Sequence, residues 1–301
     1  MIKLNNTIIN QNQFPDGSLR ILDFPYQVIK ENNNIVWKYE SDAELFTLIC
    51  VVKQIRSLFY VDGKPKSLNL VLPYIPHARM DRVKDDKVEV FTLKFFCEII
   101  NSLEFDNVFA LDPHSNVSLA LISHIRTYDV EQFITWAIDD IEGKDIDGGE
   151  KYAGKTVIYF PDEGAMKRYR DLDIFTGRTL LYGKKVRDWK TGQIKGLTIH
   201  YESGEEVLSG NGLGLPLKEQ VVLMIDDIIS YGGTLAYSAD ALKDLGASAI
   251  YAYASHTENS VLDEEKGTLL KRLNDGTVDE LFTTNSIYKY QHPRVTVYEG
   301  F

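Results

Sequence analysis

The apolar run Val221 to Ile225 ends in two adjacent aspartates, Asp226 and Asp227. A turn of Ser230, Tyr231, Gly232, Gly233 and Thr234 follows before a segment of helical spacing begins. Paired carboxylates at a strand end can bind the two hydroxyls of a ribose, or hold Mg2+ bridging a sugar and a pyrophosphate, because hard oxygen donors suit that ion. The turn offers backbone N–H groups, hydroxyls and a helix N-terminus to a phosphate. The same residues also fit an ordinary polar turn with Thr234 as a helix N-cap.

Other strand ends carry charge. His77, Arg79, Asp81, Arg82 and Lys84 follow the apolar segment 67–75, and two arginines so close together can clamp a polyphosphate with planar, bidentate donors. His114 lies in "ALDPHSN", two residues after Asp112, and His256 stands at the matching place in "YASHTEN". Asp162, Lys167, Arg168, Lys184, Lys185, Arg187 and Lys190 form a local basic cluster in an acidic chain, as charge stabilisation of an anionic substrate requires. Taken singly, each of these stretches also reads as a solvated loop.

The elements that must position these residues follow from periodicity. Segments 67–75, 107–112, 156–162, 178–183, 221–227 and 249–256 are near-continuously apolar, as parallel strands covered on both faces are. Between them, 42–60, 90–103 and 234–247 carry apolar residues at three and four spacings, which predicts helices. The alternation predicts an α/β chain of two related domains, each a mainly parallel sheet flanked by helices. The polar, Gly- and Asp-rich stretch 138–155 marks the boundary. The expected organisation is a domain over 1–137, a second over 138–285 and a tail over 286–301. At 301 residues and 44% hydrophobic content, two cores of ordinary size are affordable. A net charge of -11 argues against a partner as anionic as nucleic acid or a membrane surface. Two cysteines in apolar segments fit a reducing compartment, and no apolar run approaches the roughly 18 residues of a membrane span, so a cytoplasmic protein is expected.

The order of the motifs resembles one family. The Asp-Asp stretch is similar to the phosphoribosyl pyrophosphate signature of type I phosphoribosyltransferases and of the ribose-phosphate diphosphokinases, or phosphoribosyl pyrophosphate synthetases; only the latter extend the likeness along nearly the whole chain. "FPDGSLRI" resembles their Phe-x-Asp-Gly-Glu segment, "ESDAELFTL" their Asn-Asp-x-Leu-Met-Glu-Leu helix start, and "LPYIPHARMDR" their Pro-Tyr-x-x-Tyr-Ala-Arg-Gln-Asp-Arg loop. "LDPHS" is similar to their Asp-Leu-His-Ala, "FPDEGAMKR" to their Pro-Asp-x-Gly-Gly, and "KVR" at 185–187 to the Lys-x-Arg of their catalytic loop. The stretch from "ASHTEN" to "FTTNSIY" resembles their Thr-His…Val-x-Thr-Asn-Thr-Ile ending.

The resemblance implies two type I phosphoribosyltransferase-like domains and homo-oligomers built from dimers, up to hexamers. It also implies transfer of the β,γ-diphosphate of Mg-ATP to the anomeric hydroxyl of ribose 5-phosphate. On the same grounds Lys185, Arg187 and His114 are catalytic. Phe14, Asp16, Arg79, Asp81 and Arg82 bind ATP, and His114 and Asp162 arrange Mg2+. Asp226 and Asp227 hold the ribose diol, and residues 230–234 hold the 5′ group.

Three positions depart from the family pattern: Tyr231 replaces a small hydroxyl residue in the 5′-phosphate turn, Ser18 a glutamate and Met80 a glutamine. Tyr231 raises a variant, the same transfer onto ADP-ribose in NAD salvage. A non-catalytic, synthetase-associated regulatory protein is a further alternative, opposed by the presence of Lys185, Arg187, His114 and both aspartates.

Overall fold

The computed structural model describes residues 1–62, 67–83, 89–143, 156–187, 194–208 and 216–301, without the side chains of 59–62, 185–187 and 194–195. The chain forms two compact units, Met1–Asp129 with Phe301, and Val130–Gly300.

The first unit holds β1 (Ile2–Leu4), β2 (Thr7–Ile8), β3 (Asn10–Gln13), β4 (Leu19–Leu22), β5 (Asn32–Trp37), α1 (Ala43–Asp62), β6 (Ser67–Val71), α2 (Thr92–Ser102), β7 (Asn107–Leu111), α3 (Asn116–Leu121) and β8 (Ile125–Tyr128). Its sheet runs β2-β1-β5-β6-β7-β8. The four strands from β5 to β8 are parallel, and β1 is antiparallel to both its neighbours. On α2 the buried residues are Leu93, Phe96, Cys97 and Ile100, three and four apart, so one stripe of the helix enters a core that also contains Leu68 and Leu70 of β6. β3 and β4 form a separate two-stranded hairpin.

The second unit holds α4 (Glu131–Glu142), β9 (Val157–Phe160), α5 (Glu163–Tyr169), β10 (Leu180–Arg187), β11 (Ile194–Tyr201), β12 (Val221–Ile229), α6 (Gly233–Asp244), β13 (Ala249–Thr257), α7 (Thr268–Asp275), β14 (Glu280–Thr284) and β15 (Val295–Tyr298). The sheet order is β11-β10-β9-β12-β13-β14-β15, parallel except for the β10–β11 pair. Val221 to Ile225 are all buried, as expected of a central strand covered on both faces.

The α/β class and the mainly parallel sheets agree with the sequence reading; the divisions fall elsewhere. A boundary after residue 137 would cut α4 in two. Asp140 instead accepts a hydrogen bond from the Tyr298 hydroxyl at 2.7 Å, and Glu142 pairs with Arg178 at 2.5 Å, tying the helix to the second unit. The expected tail is no separate segment either, because β15 pairs with β14 inside the sheet. Only Phe301 belongs to the first unit, its ring 5.1 Å from that of Tyr128. Among the described residues no helix is long and apolar enough to cross a membrane.

Candidate active site

β12 outruns its neighbour. Its last pairing with β9 is at Met224, whereas pairing with β13 continues through Asp226 opposite Ala254 and Ile228 opposite His256. The carboxyl end of the strand therefore stands free of β9, where ligands bind in open parallel sheets. Asp227 is buried and its backbone N–H donates to Asp226 Oδ1 at 3.0 Å. Withdrawal from water, followed by the charge of Asp227 and then that of Asp162, pushes the Asp226 carboxyl well above the ordinary carboxylate range. Arg168 of α5 offsets part of this negative charge, with Nη1 3.9 Å from Asp227 Oδ2. Sequence reasoning placed Arg168 in the basic cluster and left it out of the site; α5 brings it to the aspartates.

Asp162 has a structural task of its own. It is the N-cap of α5, and its Oδ1 accepts from the N–H groups of Gly164 at 2.9 Å and Ala165 at 3.0 Å. Lys184 lies 3.8 Å from Glu163 and 5.4 Å above the Tyr182 ring, and its hydrogen bond to Tyr182 helps hold its ammonium above its usual pKa. Lys185 and Arg187 are on β10, with their side chains outside the described residues; Lys84 and Lys190 lie outside them altogether.

The turn after β12 is shaped by Gly232, the N-cap of α6, at φ 78° in the left-handed region. A Cβ there would stand 2.3 Å from Leu269 Cβ, so both the conformation and the space require glycine. α6 thus begins at Gly233, and Thr234 is inside the helix, not its cap. No side chain caps α6, which leaves its first N–H groups directed at the mouth of the turn. The Tyr231 carbonyl accepts from the N–H groups of Thr268 and Leu269 at 2.9 and 3.2 Å and from the Thr268 hydroxyl at 2.9 Å. Ser230 and Ser260 share a hydroxyl hydrogen bond of 3.2 Å, and the Tyr231 ring projects with 40% of the residue exposed. The support from Thr268 and Ser260 escaped sequence reasoning, since nothing local marks a contact 30 or more residues away.

In the first unit, residues 14–18 close the β3–β4 hairpin. The Asp16 carboxylate accepts from the Ser18 N–H at 2.9 Å and hydroxyl at 2.6 Å, which holds its pKa below the usual value. The Phe14 ring is exposed beneath the Arg20 guanidinium at 5.4 Å. Arg79 and Arg82 are exposed after β6, with Asp81 half-buried between them. His77, at φ 62°, lies 3.0 Å from Asp42. His114 is half-buried on the loop after β7, where Asp112 takes φ 39°. His256, expected to match it, is instead an interior residue with Nδ1 2.9 Å from the Ser286 hydroxyl. Among the described residues no three His, Cys, Asp or Glu side chains converge as a metal site.

No family model matches the chain. It is 29% identical to the ribose-phosphate pyrophosphokinase of Bacillus subtilis over 74% of this chain, a match spanning 60% of the Bacillus protein. It is 27% identical to ribose-phosphate pyrophosphokinase 2 of Archaeoglobus fulgidus over 90% of this chain and 82% of that one. With the Thermoplasma volcanium ribose-phosphate pyrophosphokinase the identity is 26% over 96% of this chain and 90% of the relative. The fold is that of the phosphoribosylpyrophosphate synthetase of Mycobacterium smegmatis, with a TM-score of 0.66 at 18% identity over 97% of this chain and 86% of the other. The chain is thus similar along nearly its whole length to ribose-phosphate pyrophosphokinases, on a shared fold with paired aspartates at a parallel strand end.

Proposed function

We propose that this chain transfers the β,γ-diphosphate of Mg-ATP to the anomeric hydroxyl of ribose 5-phosphate, yielding phosphoribosyl pyrophosphate and AMP. The observation that carries the reading is the end of β12, where two carboxylates precede a left-handed glycine and the uncapped start of α6. A ribose diol meets Asp226 and Asp227, while its 5′ phosphate meets the N–H groups of Gly233 and Thr234, helped by the Ser230 hydroxyl. The anomeric oxygen attacks the β-phosphorus, the bond to the AMP oxygen breaks, and the hydroxyl proton is released. Such a transfer asks mainly for positioning and positive charge. Lys185 and Arg187, assigned from sequence, supply that charge on the β10–β11 hairpin. Phe14 and Asp16 contact the adenine, Arg79 and Arg82 hold the ATP phosphates with Asp81 between them, and His114 and Asp162 help arrange Mg2+ and substrate. The assembly is a homo-oligomer, as the resemblance implies.

The donor set suits Mg2+. Asp162 is a hard oxygen donor, and a divalent cation there would also ease the ionisation of Asp226, whose carboxyl is pushed well above the ordinary range first by burial and then by the charges of Asp227 and Asp162. Bound with ATP, Mg2+ neutralises the charge developing on the phosphates.

One observation favours a second acceptor. The Tyr231 ring is exposed beside the 5′-phosphate turn, where it can stack on a larger 5′ substituent such as that of ADP-ribose. Purified protein incubated with Mg-ATP and each acceptor separately, with products followed by mass spectrometry, decides between them. AMP with phosphoribosyl pyrophosphate supports the first reading. Consumption of ADP-ribose alone supports the second, and AMP from neither acceptor overturns both.

A further inference from the structure

We propose that Thr268, the first residue of α7, is a positioning residue for the acceptor's 5′ phosphate. The inference rests on the reading that the 230–234 turn receives that phosphate.

Two helix starts share this corner of the second unit. α7 has Gly267 as its N-cap, and no side chain caps it, so its leading N–H groups need acceptors. The Tyr231 carbonyl supplies one, taking the Thr268 and Leu269 N–H groups. The Thr268 hydroxyl adds a third donor to the same oxygen at 2.9 Å. The peptide between Tyr231 and Gly232 is thereby pinned from one side, and its orientation decides where Gly232 turns and where the Gly233 and Thr234 N–H groups point. Leu269 closes the other side, since it occupies the space beside the Gly232 Cα. Farther along, Arg272 of α7 donates to Asp240 of α6 at 2.8 Å, so the two helices are joined at a second point and α7 is a fixed platform for the turn. An anion bound at α6 pulls N–H groups toward itself; a turn already pinned spends little of that attraction on ordering.

Thr268→Val keeps the N–H bond and the side-chain shape but deletes the hydroxyl, and Thr268→Ser restores it. Because Thr268 is exposed, neither change disturbs a core. Titration calorimetry with ribose 5-phosphate and steady-state AMP release are measured for wild type and both variants. The expected result is a roughly five-fold weaker Kd and a matching rise in the acceptor KM for Thr268→Val, as one hydrogen bond of about 1 kcal/mol dictates. The KM for ATP stays at its wild-type value, the melting temperature falls by no more than about 2–4 °C, and Thr268→Ser recovers acceptor binding. Unchanged acceptor binding in Thr268→Val, or a parallel rise in both KM values, overturns the proposal while wild-type activity leaves the acceptor reading standing. Wild-type protein that neither binds ribose 5-phosphate nor releases AMP overturns the acceptor reading itself.

Discussion

The end of β7 and the end of β12 follow one plan, a parallel strand with aspartate at or just past its end, then a polar turn, then a helix. They differ in where the backbone bends. After β7 the left-handed residue is Asp112 itself, buried, with φ 39°, and the helix beyond it spans six residues. After β12 the carboxylates stay on extended, paired strand, the left-handed position falls to Gly232, and the helix runs for twelve. Separating the bend from the carboxylates lets the β12 end offer two acid groups and a run of helix N–H donors at once. At β7 the acid group and the bend are one residue, and half-buried His114 follows on the loop.

If the β12 end and the β10–β11 hairpin, one strand removed in the sheet, carry the chemistry, the largest effect comes from Lys185→Ala. Turnover should fall about a thousandfold with little change in either KM, because a charge used in the transition state is lost. His114→Ala, on the β7 loop, should act mainly on the KM for ATP. Steady-state kinetics with each substrate varied in turn check this division; equal effects of the two substitutions would erase the distinction between the strand ends.

Next in size is Gly232→Ala. A left-handed alanine costs roughly 1–2 kcal/mol, and the clash with Leu269 adds a comparable amount, for a total of about 2–4 kcal/mol. Chemical denaturation should register that loss, and whatever protein remains folded should bind ribose 5-phosphate more weakly. A Gly232→Ala protein of wild-type stability would mean that the turn bends freely, as a passive loop does.

How far these two ends could be read from sequence depends on how local their causes are. β12 and α6 were legible because Val221 to Ile225 form an unbroken apolar run, the two aspartates interrupt it, and glycines mark the turn. β5 was not, since Asn32, Asn33 and Asn34 open it against strand propensity. Its polarity is absorbed internally: Asn33 donates to the Lys30 carbonyl at 2.8 Å while accepting from the Asn5 side chain at 2.9 Å, and Ile35 and Trp37 fill the core. α4 ran into the boundary segment in sequence because nothing there announces the distant Tyr298 and Arg178 that claim it. The same holds for Thr268. Phe14 and Asp16 entered through family resemblance alone, their exposed loop having no packing pattern to reveal them, whereas Arg79 and Arg82 were legible as paired cations just past a strand.

The carboxylate pair also makes a pH-dependent difference. In the unfolded chain Asp226 ionises at its ordinary value, and in the folded protein well above it. Its favourable contribution to stability is therefore complete below the unfolded value and is lost as pH rises through the folded one. Asp226→Asn escapes that loss. Thermal melts without metal should show the variant more stable than wild type at pH 8, with the two converging toward about pH 4. Added Mg2+ should narrow the gap at pH 8 by stabilising the wild type. A variant less stable than wild type at pH 8 would show that the pair is held without electrostatic cost.

The smallest effect is expected at the start of α3, and it isolates what distinguishes the two helix starts. Ser115 is the N-cap of α3 by position and type, the residue most often used to satisfy a leading N–H group. It makes no side-chain cap bond, and its hydroxyl oxygen is buried without a hydrogen-bond partner. A working cap contributes typically ~1 kcal/mol, whereas a buried hydroxyl without a partner is a liability. Ser115→Ala should therefore leave stability within about 0.5 kcal/mol of wild type or raise it slightly, as denaturant midpoints at constant slope would show. The equivalent position before α6 is Gly232, where the backbone has no alternative. A loss near 1 kcal/mol at Ser115 would mean that α3 is capped as an ordinary helix is, and the contrast between a start held by its own cap and a start held open for an anion would then rest on Gly232 alone.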